Sequence, residues 1–433
     1  MMKSSHDKIY VTNNRMGNMK TTKFTLIIAL ALMLLSSTAL AGGNSTARSV
    51  AMGGAYTALA KGSDAGKYNP ANLGLSDFRQ TGLEIVGVGA DISNNSFSLG
   101  DYNDYSGALL TSEDKEYILG KIPSEGLKLS IDAEVTALSL STGSYAFNIT
   151  GVGIADVNMS RDIFELILNG NAFADTISVD GSYSDLVSYV TAGLSYGMPV
   201  YSRGTRQLAV GATFKYIRGI AIEEVVEMSG MAATYATGFT GEGHLVAQTA
   251  TGGKGYALDL GAALKLNDTY TIGACLKNFF SHITWNNETE EHGFDFSFDT
   301  MTVDNMEDDY IVSDDYSVPI DDFSSNLPST LTVGFAKTSG KLLWAVDWQQ
   351  GFHRNTGVSS KPLISTGAQY HIMSLIPLRA GFTTGGNRNT TFSLGSGFNL
   401  SPVYLDYAFV TGSPFSGYSS KGVNFAVSLG IHF

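Results

Sequence analysis

The chain has 433 residues, 43% hydrophobic and only 15% charged, with 49 Gly and a formal net charge of −13. The charged fraction lies well below the roughly 25% of soluble domains, and the acidic balance excludes a nucleic-acid surface, which needs basic groups. A single cysteine, Cys275, excludes an intrachain disulfide framework and any cysteine-based zinc cluster.

The first expected element is an export signal. Lys20 and Lys23 precede the apolar run Phe24 to Leu35 (FTLIIALALMLL). That run is short of the roughly twenty residues a membrane helix needs. Ala39-Leu40-Ala41 fits a small-x-small cleavage site, so residues 1–41 are expected to be removed, with Met19 a candidate translation start. No later apolar run is long enough for a membrane helix. A chain of this kind that spans a membrane must therefore close a barrel, which satisfies every backbone group in lipid.

Residues 42–80 follow. The stretch 47–75 reads ARSVAMGGAYTALAKGSDAGKYNPANLGL. It is rich in Gly and Ala, lacks strand alternation and is too long to stay structureless. A small-residue segment before a barrel's first strand can pack inside the lumen as a plug.

From residue 81 the chain reads as barrel wall. Strands near 82–92, 131–142, 144–157 and 188–198 are irregular, and 144–157 slips phase after Ile149, which predicts a bulge there. Arg161 to Gly170 (RDIFELILNG) has helical spacing and a glycine stop, so it is expected to be a short helix in an outer loop. Leu208–Tyr216 alternates with Lys215 inward. Tyr256–Leu266 and Tyr270–Leu276 bracket an Asn267-Asp268 turn, with Asp259, Lys265 and Lys277 inward. Lys341–Gln350 places Leu342, Trp344, Val346 and Trp348 toward lipid and Asp347 inward. After a turn near Ser374, Arg379 faces inward, and so does Asp406 on Val403–Val410.

The last strand, Gly422 to Phe433, alternates without a break. Val423, Phe425, Val427, Leu429, Ile431 and Phe433 form an apolar face, and Asn424, Ala426, Ser428, Gly430 and His432 form the other. Lipid on one side and a polar lumen on the other produce this pattern. The count is about fourteen strands of roughly ten residues, with twelve or sixteen left open. Connections near 142–145, 200–206, 266–269, 338–341, 373–377 and 400–403 are short. Those near 94–130, 158–186, 220–255, 285–328, 351–361, 386–390 and 411–421 are mostly long. Short periplasmic turns and long outer loops alternate in this way in membrane barrels; soluble sandwiches and propellers do not sort theirs so. The expected fold is all-β, a transmembrane antiparallel barrel over 81–433 with a luminal hatch at 42–80 and a short loop helix.

Lys215, Asp259, Lys265, Lys277, Asp347, Arg379 and Asp406 are the candidate lumen charges. They can form a constriction, a contact set for the hatch, or ion pairs that fill a polar interior. The segment Asp304 to Asp322 carries eight carboxylates and no basic residue. Asp308, Asp309, Asp314 and Asp315 are a weak Ca²⁺ candidate there, without the Gly and closing Glu of an EF-hand; a solvated acidic loop is the simpler reading. The histidines are scattered, and neither Gly53-Gly54 nor Gly252–Gly255 leads into a P-loop. No enzyme constellation stands out, and no cofactor is expected.

Arg48, Met52-Gly53-Gly54, Tyr56 and then Asn69-Pro70-Ala71 resemble the start of the FadL-like family of outer-membrane barrels. That family includes transporters of long-chain fatty acids and aromatic hydrocarbons, and the PorV-type proteins of type IX secretion. The resemblance implies fourteen strands and an amino-terminal hatch that carries these residues. It also implies that Phe433 ends a strand, with Phe425, Val427, Leu429 and Ile431, read by the barrel-assembly machinery. The family's apolar ligand pockets do not map onto this chain by sequence. The leading expectation is passive, hatch-gated uptake of a small hydrophobic solute across the outer membrane of a Gram-negative-type envelope. The alternative is a PorV-like barrel that holds or shuttles secreted proteins. Outer-membrane lipid and lipopolysaccharide are the expected surroundings.

Overall fold

The computed structural model describes residues 44–433 except 171–175, 237, 302–311, 353–356, 374, 387–389 and 413–416. The signal region, the turn at Ser374, and Asp308 and Asp309 lie outside the described residues, as do parts of six of the expected outer loops.

The strands in chain order are β1 (Gly82–Asn94), β2 (Leu127–Thr142), β3 (Tyr145–Met159), β4 (Thr176–Ser178), β5 (Tyr183–Arg203), β6 (Arg206–Tyr235), β7 (Gly238–Lys265), β8 (Tyr270–Trp285) and β9 (Glu290–Met301). They continue with β10 (Val312–Pro319), β11 (Phe323–Ser325), β12 (Thr330–Ser339), β13 (Leu342–Gly351), β14 (Leu363–Met373), β15 (Ile376–Gly385), β16 (Thr391–Leu400), β17 (Val403–Thr411) and β18 (Gly422–His432). Fourteen of them close an antiparallel ring, β1-β2-β3-β5-β6-β7-β8-β12 through β18, and β18 pairs back onto β1. The other four extend or flank this ring: β4 pairs with β6, β9 with β7, β10 with β9, and β11 with β8.

The wall follows from period-two alternation. On β17, Val403, Leu405, Tyr407 and Phe409 are exposed, whereas Tyr404, Asp406, Ala408 and Val410 are buried. β12 to β18 hold 9 to 11 residues each, the length of a tilted membrane crossing. No helix among the described residues is long and apolar enough to cross a membrane.

The loop helix forms as expected, at Arg161–Asn169, ending at Gly170 with φ 72°. Several expectations need correction. The stretch 220–255 is not a long loop. β6 and β7 run 30 and 28 residues and meet across a two-residue connection, so this outer connection is short. Along 223–232 of β6 every residue is exposed or half-buried, so no apolar face is required there. The connection 94–130 carries two helices, Leu99–Tyr105 and Ser112–Lys121, each opened by a capping box, Ser98 with Asp101 and Thr111 with Asp114. The stretch 285–328 holds β9, β10 and β11. The bulge expected in 144–157 lies on the neighbouring strand: Thr136 pairs Thr150 and Leu138 pairs Ile149, so Ala137 of β2 is the extra residue. β3 itself pairs with β5 without interruption. Apolar Val152 and Ile154 on its inward face imitated a change of phase. Finally, Asp314 and Asp315 are neighbours on β10, where successive side chains point to opposite faces. They do not converge as ligands, and no group of three His, Cys, Asp or Glu among the described residues is placed to hold a metal.

Candidate functional site: the lumen and the segment that fills it

Residues 44–80 fill the turn end of the barrel as short helical pieces: Ala47–Ala51, Gly62–Asp64, Ala65–Tyr68, Pro70–Gly74 and Ser76–Phe78. Ala47, Ala51, Ala55, Ala58, Ala60, Ala65 and Ala71 are fully buried. Small side chains let this backbone lie directly against the wall, and the wall answers with glycine. Gly197, Gly211 and Gly261 lie in one register row across β5, β6 and β7. Against that row sits the Asn69-Pro70-Ala71 turn. The Asn69 side chain accepts from the Ala71 amide at 3.1 Å and donates to the Ala262 carbonyl at 3.0 Å. Pro70 opens the turn that Asn69 caps. Gly367, Gly381 and Gly395 do the same opposite Ala51, Met52 and Gly53. Gly53 and Gly54 both have positive φ, 65° and 90°, which side-chain-bearing residues rarely adopt.

The charged residues named from sequence take distinct places. Asp347 accepts the backbone amides of Tyr56 and Thr57 at 3.1 and 2.9 Å. Asp406 holds Arg48 Nε at 2.6 Å and Arg379 Nη1 at 2.7 Å. The Arg48 guanidinium also stacks 4.3 Å over Tyr404 and contacts His432 Nε2 at 3.2 Å. Lys265 pairs with Asp77, and Lys277 lies 5.0 Å over the Tyr68 ring. These five residues thus hold the N-terminal segment, Arg379 through Asp406. Tyr56 donates to Asp64 at 2.9 Å and meets Tyr68 edge to face. Burial first, and then the Asp64 carboxylate, hold the Tyr56 hydroxyl well above its ordinary pKa, so it remains a donor.

Lys215 and Asp259 do something else. Their pair (2.7 Å) fixes an irregularity in β8. Leu258 pairs Phe280 and Leu260 pairs Leu276, so Lys277, Asn278 and Phe279 of β8 face Asp259 alone on β7. Asn278 has φ 49°, its amide donates to Asp259 at 2.8 Å, and its side chain accepts from Lys215 at 3.0 Å. On the other side of β8 the ladder with β12 stops at Lys277–Thr330 and resumes with β11 at Ile283–Ser325. Side chains bridge the break: Asn278 to the Pro328 carbonyl at 3.0 Å, Ser329 to the Asn278 carbonyl at 2.6 Å, and Ser281 to Leu327 in both directions.

Inside that break lies an apolar cluster of Tyr189, Ile217, Ile222, Ala257, Ile283, Trp285 and Leu327. Trp285 is fully buried, its ring lies across Gly219 and Gly253, and its Nε1 donates to Ser325 at 2.8 Å. Towards the loop end, a cavity of about 800 Å³ opens above the N-terminal segment. Its described lining mixes apolar side chains such as Ile92, Val152 and Leu363 with charged ones, Asp132, Glu134 and Lys128 among them.

On the last strand, Val427 and Phe433 are exposed and Phe425, Leu429 and Ile431 half-buried on the outer face; the Phe433 amide donates to Thr81 at 2.9 Å. Sequence reasoning did not single out Ser45, Asp64, Lys67, Glu84 or Trp285. The inward glycine rows were the available signal, since Gly261 follows directly from the Tyr256–Leu266 alternation.

Residues 70–238 match a family of unknown function (DUF5723). No curated protein matches the chain. Among solved structures it is similar to the toluene transporter TbuX of Ralstonia pickettii, at 16% identity and a TM-score of 0.52, over 92% of this chain and 100% of that one. It is also similar to the CymD monoaromatic hydrocarbon channel, at 14% identity and a TM-score of 0.50, over 92% and 99%. The chain has the fold of these FadL-like barrels. At such identity the likeness concerns fold alone.

Proposed function

We propose that this protein is a passive outer-membrane channel for a small hydrophobic solute, gated by residues 42–80. One observation carries the reading: the apolar part of the lumen abuts the break in the wall between β8 and β12, while the N-terminal segment fills the turn end. An apolar solute entering from the loops would partition into the cluster around Trp285 by the hydrophobic effect. Exposed Phe279 and Phe280 lie on the lipid side of the same strand. The two similar structures, a toluene transporter and a monoaromatic hydrocarbon channel, agree with this class of solute. In this reading the mature chain starts after Ala41, Phe433 ends the strand recognised during assembly, and the outer loops meet lipopolysaccharide.

A second reading rests on a different observation. β6, β7, β9 and β10 continue as a sheet beyond the ring, and Phe294, Phe296 and Phe298 form a ladder of adjacent rings along β9. Such a surface suits a barrel that holds secreted proteins. Uptake into liposomes separates the two. The channel reading expects the full chain to pass a monoaromatic hydrocarbon and exclude a sugar of similar size, and deletion of 42–80 to admit both. If the full chain neither binds nor passes hydrophobic solutes, and the deletion changes nothing, the channel reading fails.

A further inference from the structure

The N-terminal segment has a place beyond gating, at the seam where the barrel closes. The closing contact joins β1 and β18, the wall strands farthest apart in the sequence, so its formation carries the largest loop-closure cost in the fold. Gly87 of β1 pairs with Ser428 of β18 on one side and Thr136 of β2 on the other, making one row across three strands. Ser45 lies on top of that row. Its carbonyl accepts from Ser428 Oγ at 3.0 Å, and Ser428 Oγ in turn accepts from the Ala47 amide at 2.9 Å. The Ser45 hydroxyl reaches Thr136 at 2.6 Å and Glu134 at 2.5 Å. Only the missing side chain of Gly87 admits this, because a Cβ there would sit 2.8 Å from the Ser45 carbonyl oxygen.

Two further contacts anchor the segment on either side of the same seam. Lys67 donates to Glu84 of β1 and to Thr136 of β2, at 3.2 Å each, with both charged side chains buried. Arg48 binds Asp406 of β17 and His432 of β18. Glu84 also sits at a register shift between Glu84 and Val86, so the β1–β18 ladder is irregular where Lys67 meets it. The segment is continuous with β1 through Gln80, whose carbonyl accepts from Ser141 of β2 at 2.6 Å.

We infer that residues 45–67 are the clasp that closes the barrel, holding β17 and β18 against β1 and β2 from the lumen side. The inference is independent of whether a solute passes. A segment covalently tied to β1 and bonded to β18 turns a contact between chain ends into one made by neighbours of an already placed element. Loss of the clasp therefore weakens the seam first.

The test uses the full chain in detergent micelles and lipid vesicles, with Cys275→Ala as background. Gly87→Val displaces Ser45 from the wall side. Ser45→Ala combined with Arg48→Met and Lys67→Met removes the segment's side-chain bonds to β1, β2, β17 and β18 and leaves the wall strands unchanged, which covers the chance that Gly87→Val does not fold. Both are expected to lower the temperature at which the folded band converts to the unfolded one in a heat-modifiability gel. A disulfide across the seam, Leu83→Cys with Ile431→Cys, should restore that temperature. An equivalent disulfide between β6 and β7, Val210→Cys with Ala262→Cys, should not; both sets are register partners. Unchanged melting in the triple variant overturns the clasp. Rescue by both disulfides alike, or by neither, also overturns it, because the segment would then act as lumen filling and not at the seam.

Discussion

The two levels of the lumen are built by opposite means. At the turn end, backbone meets backbone: glycine rows on β5 to β7 and β14 to β16 face an alanine- and glycine-rich segment, and buried carboxylates take its amides and its arginine. Above it, on β5 to β8, large side chains fill the space, and the wall beside them is bridged by side chains instead of a continuous ladder. Backbone contacts of the first kind have one geometry and no slack. Side chains of the second kind have rotamers. The difference teaches where movement is cheap: the apolar cluster can rearrange while the segment below it stays in register.

The largest expected effect is at the apolar level. Trp285→Ala removes a fully buried ring and leaves a cavity, with an expected cost of about 3–5 kcal/mol. Chemical unfolding in micelles reads that loss, and tryptic cleavage after Lys67 should stay as slow as in the parent. A cost near zero would mean that the cluster is not a packed core. Fast cleavage at Lys67 would mean that the two levels are not separable.

The second is its mirror at the backbone level. Gly211→Val would place a Cβ about 2.4 Å from the Pro70 carbonyl carbon, so the turn must move. Overpacking of this kind costs about 1–3 kcal/mol. Here cleavage after Lys67 should accelerate strongly, whereas Trp285 fluorescence should change little against the background of Trp344 and Trp348. If the segment stays protected, the glycine row is not what admits it.

The same contrast explains what could be read in the sequence. Wall strands such as Tyr256–Leu266, Lys341–Gln350 and Val403–Val410 were legible because lipid demands an apolar residue at every second position. Past residue 220 that demand ends, and β6 and β7 continue on pairing alone, which leaves no period-two signature. The helices at Leu99–Tyr105 and Ser112–Lys121 were readable only from Ser98-x-x-Asp101 and Thr111-x-x-Asp114, a local signal easily lost in a polar loop. The residues that hold the N-terminal segment were half legible. Inward charge follows from alternation, so Asp347, Arg379 and Asp406 were found. Their partners Tyr56, Thr57 and Arg48 lie about 290 to 360 positions away, a distance no periodicity carries.

The smallest expected effect concerns the lower tether and depends on pH. Hydrogen bonds from Lys265 first and Ser76 second hold the Asp77 carboxyl below its ordinary pKa. A depressed folded-state value means that the contact contributes in full above the ordinary carboxylate pKa of about 4 and is lost as the pH falls through the depressed value. Asp77 is half-exposed, so solvent screens the pair and the gain is slight. Lys265 also keeps Asp268 at 2.8 Å, which limits the loss further. Amide exchange over Ser76–Gln80, corrected for intrinsic rates, should rise on acidification, and Asp77→Asn should show the raised exchange already at neutral pH. In Asp77→Asn at neutral pH the rest of the segment should keep its slow exchange, because residues 45–67 are held by backbone approaches and buried ion pairs that the substitution leaves intact. A parallel rise across residues 45–67 in that variant would break the distinction between a tethered end and a fitted body.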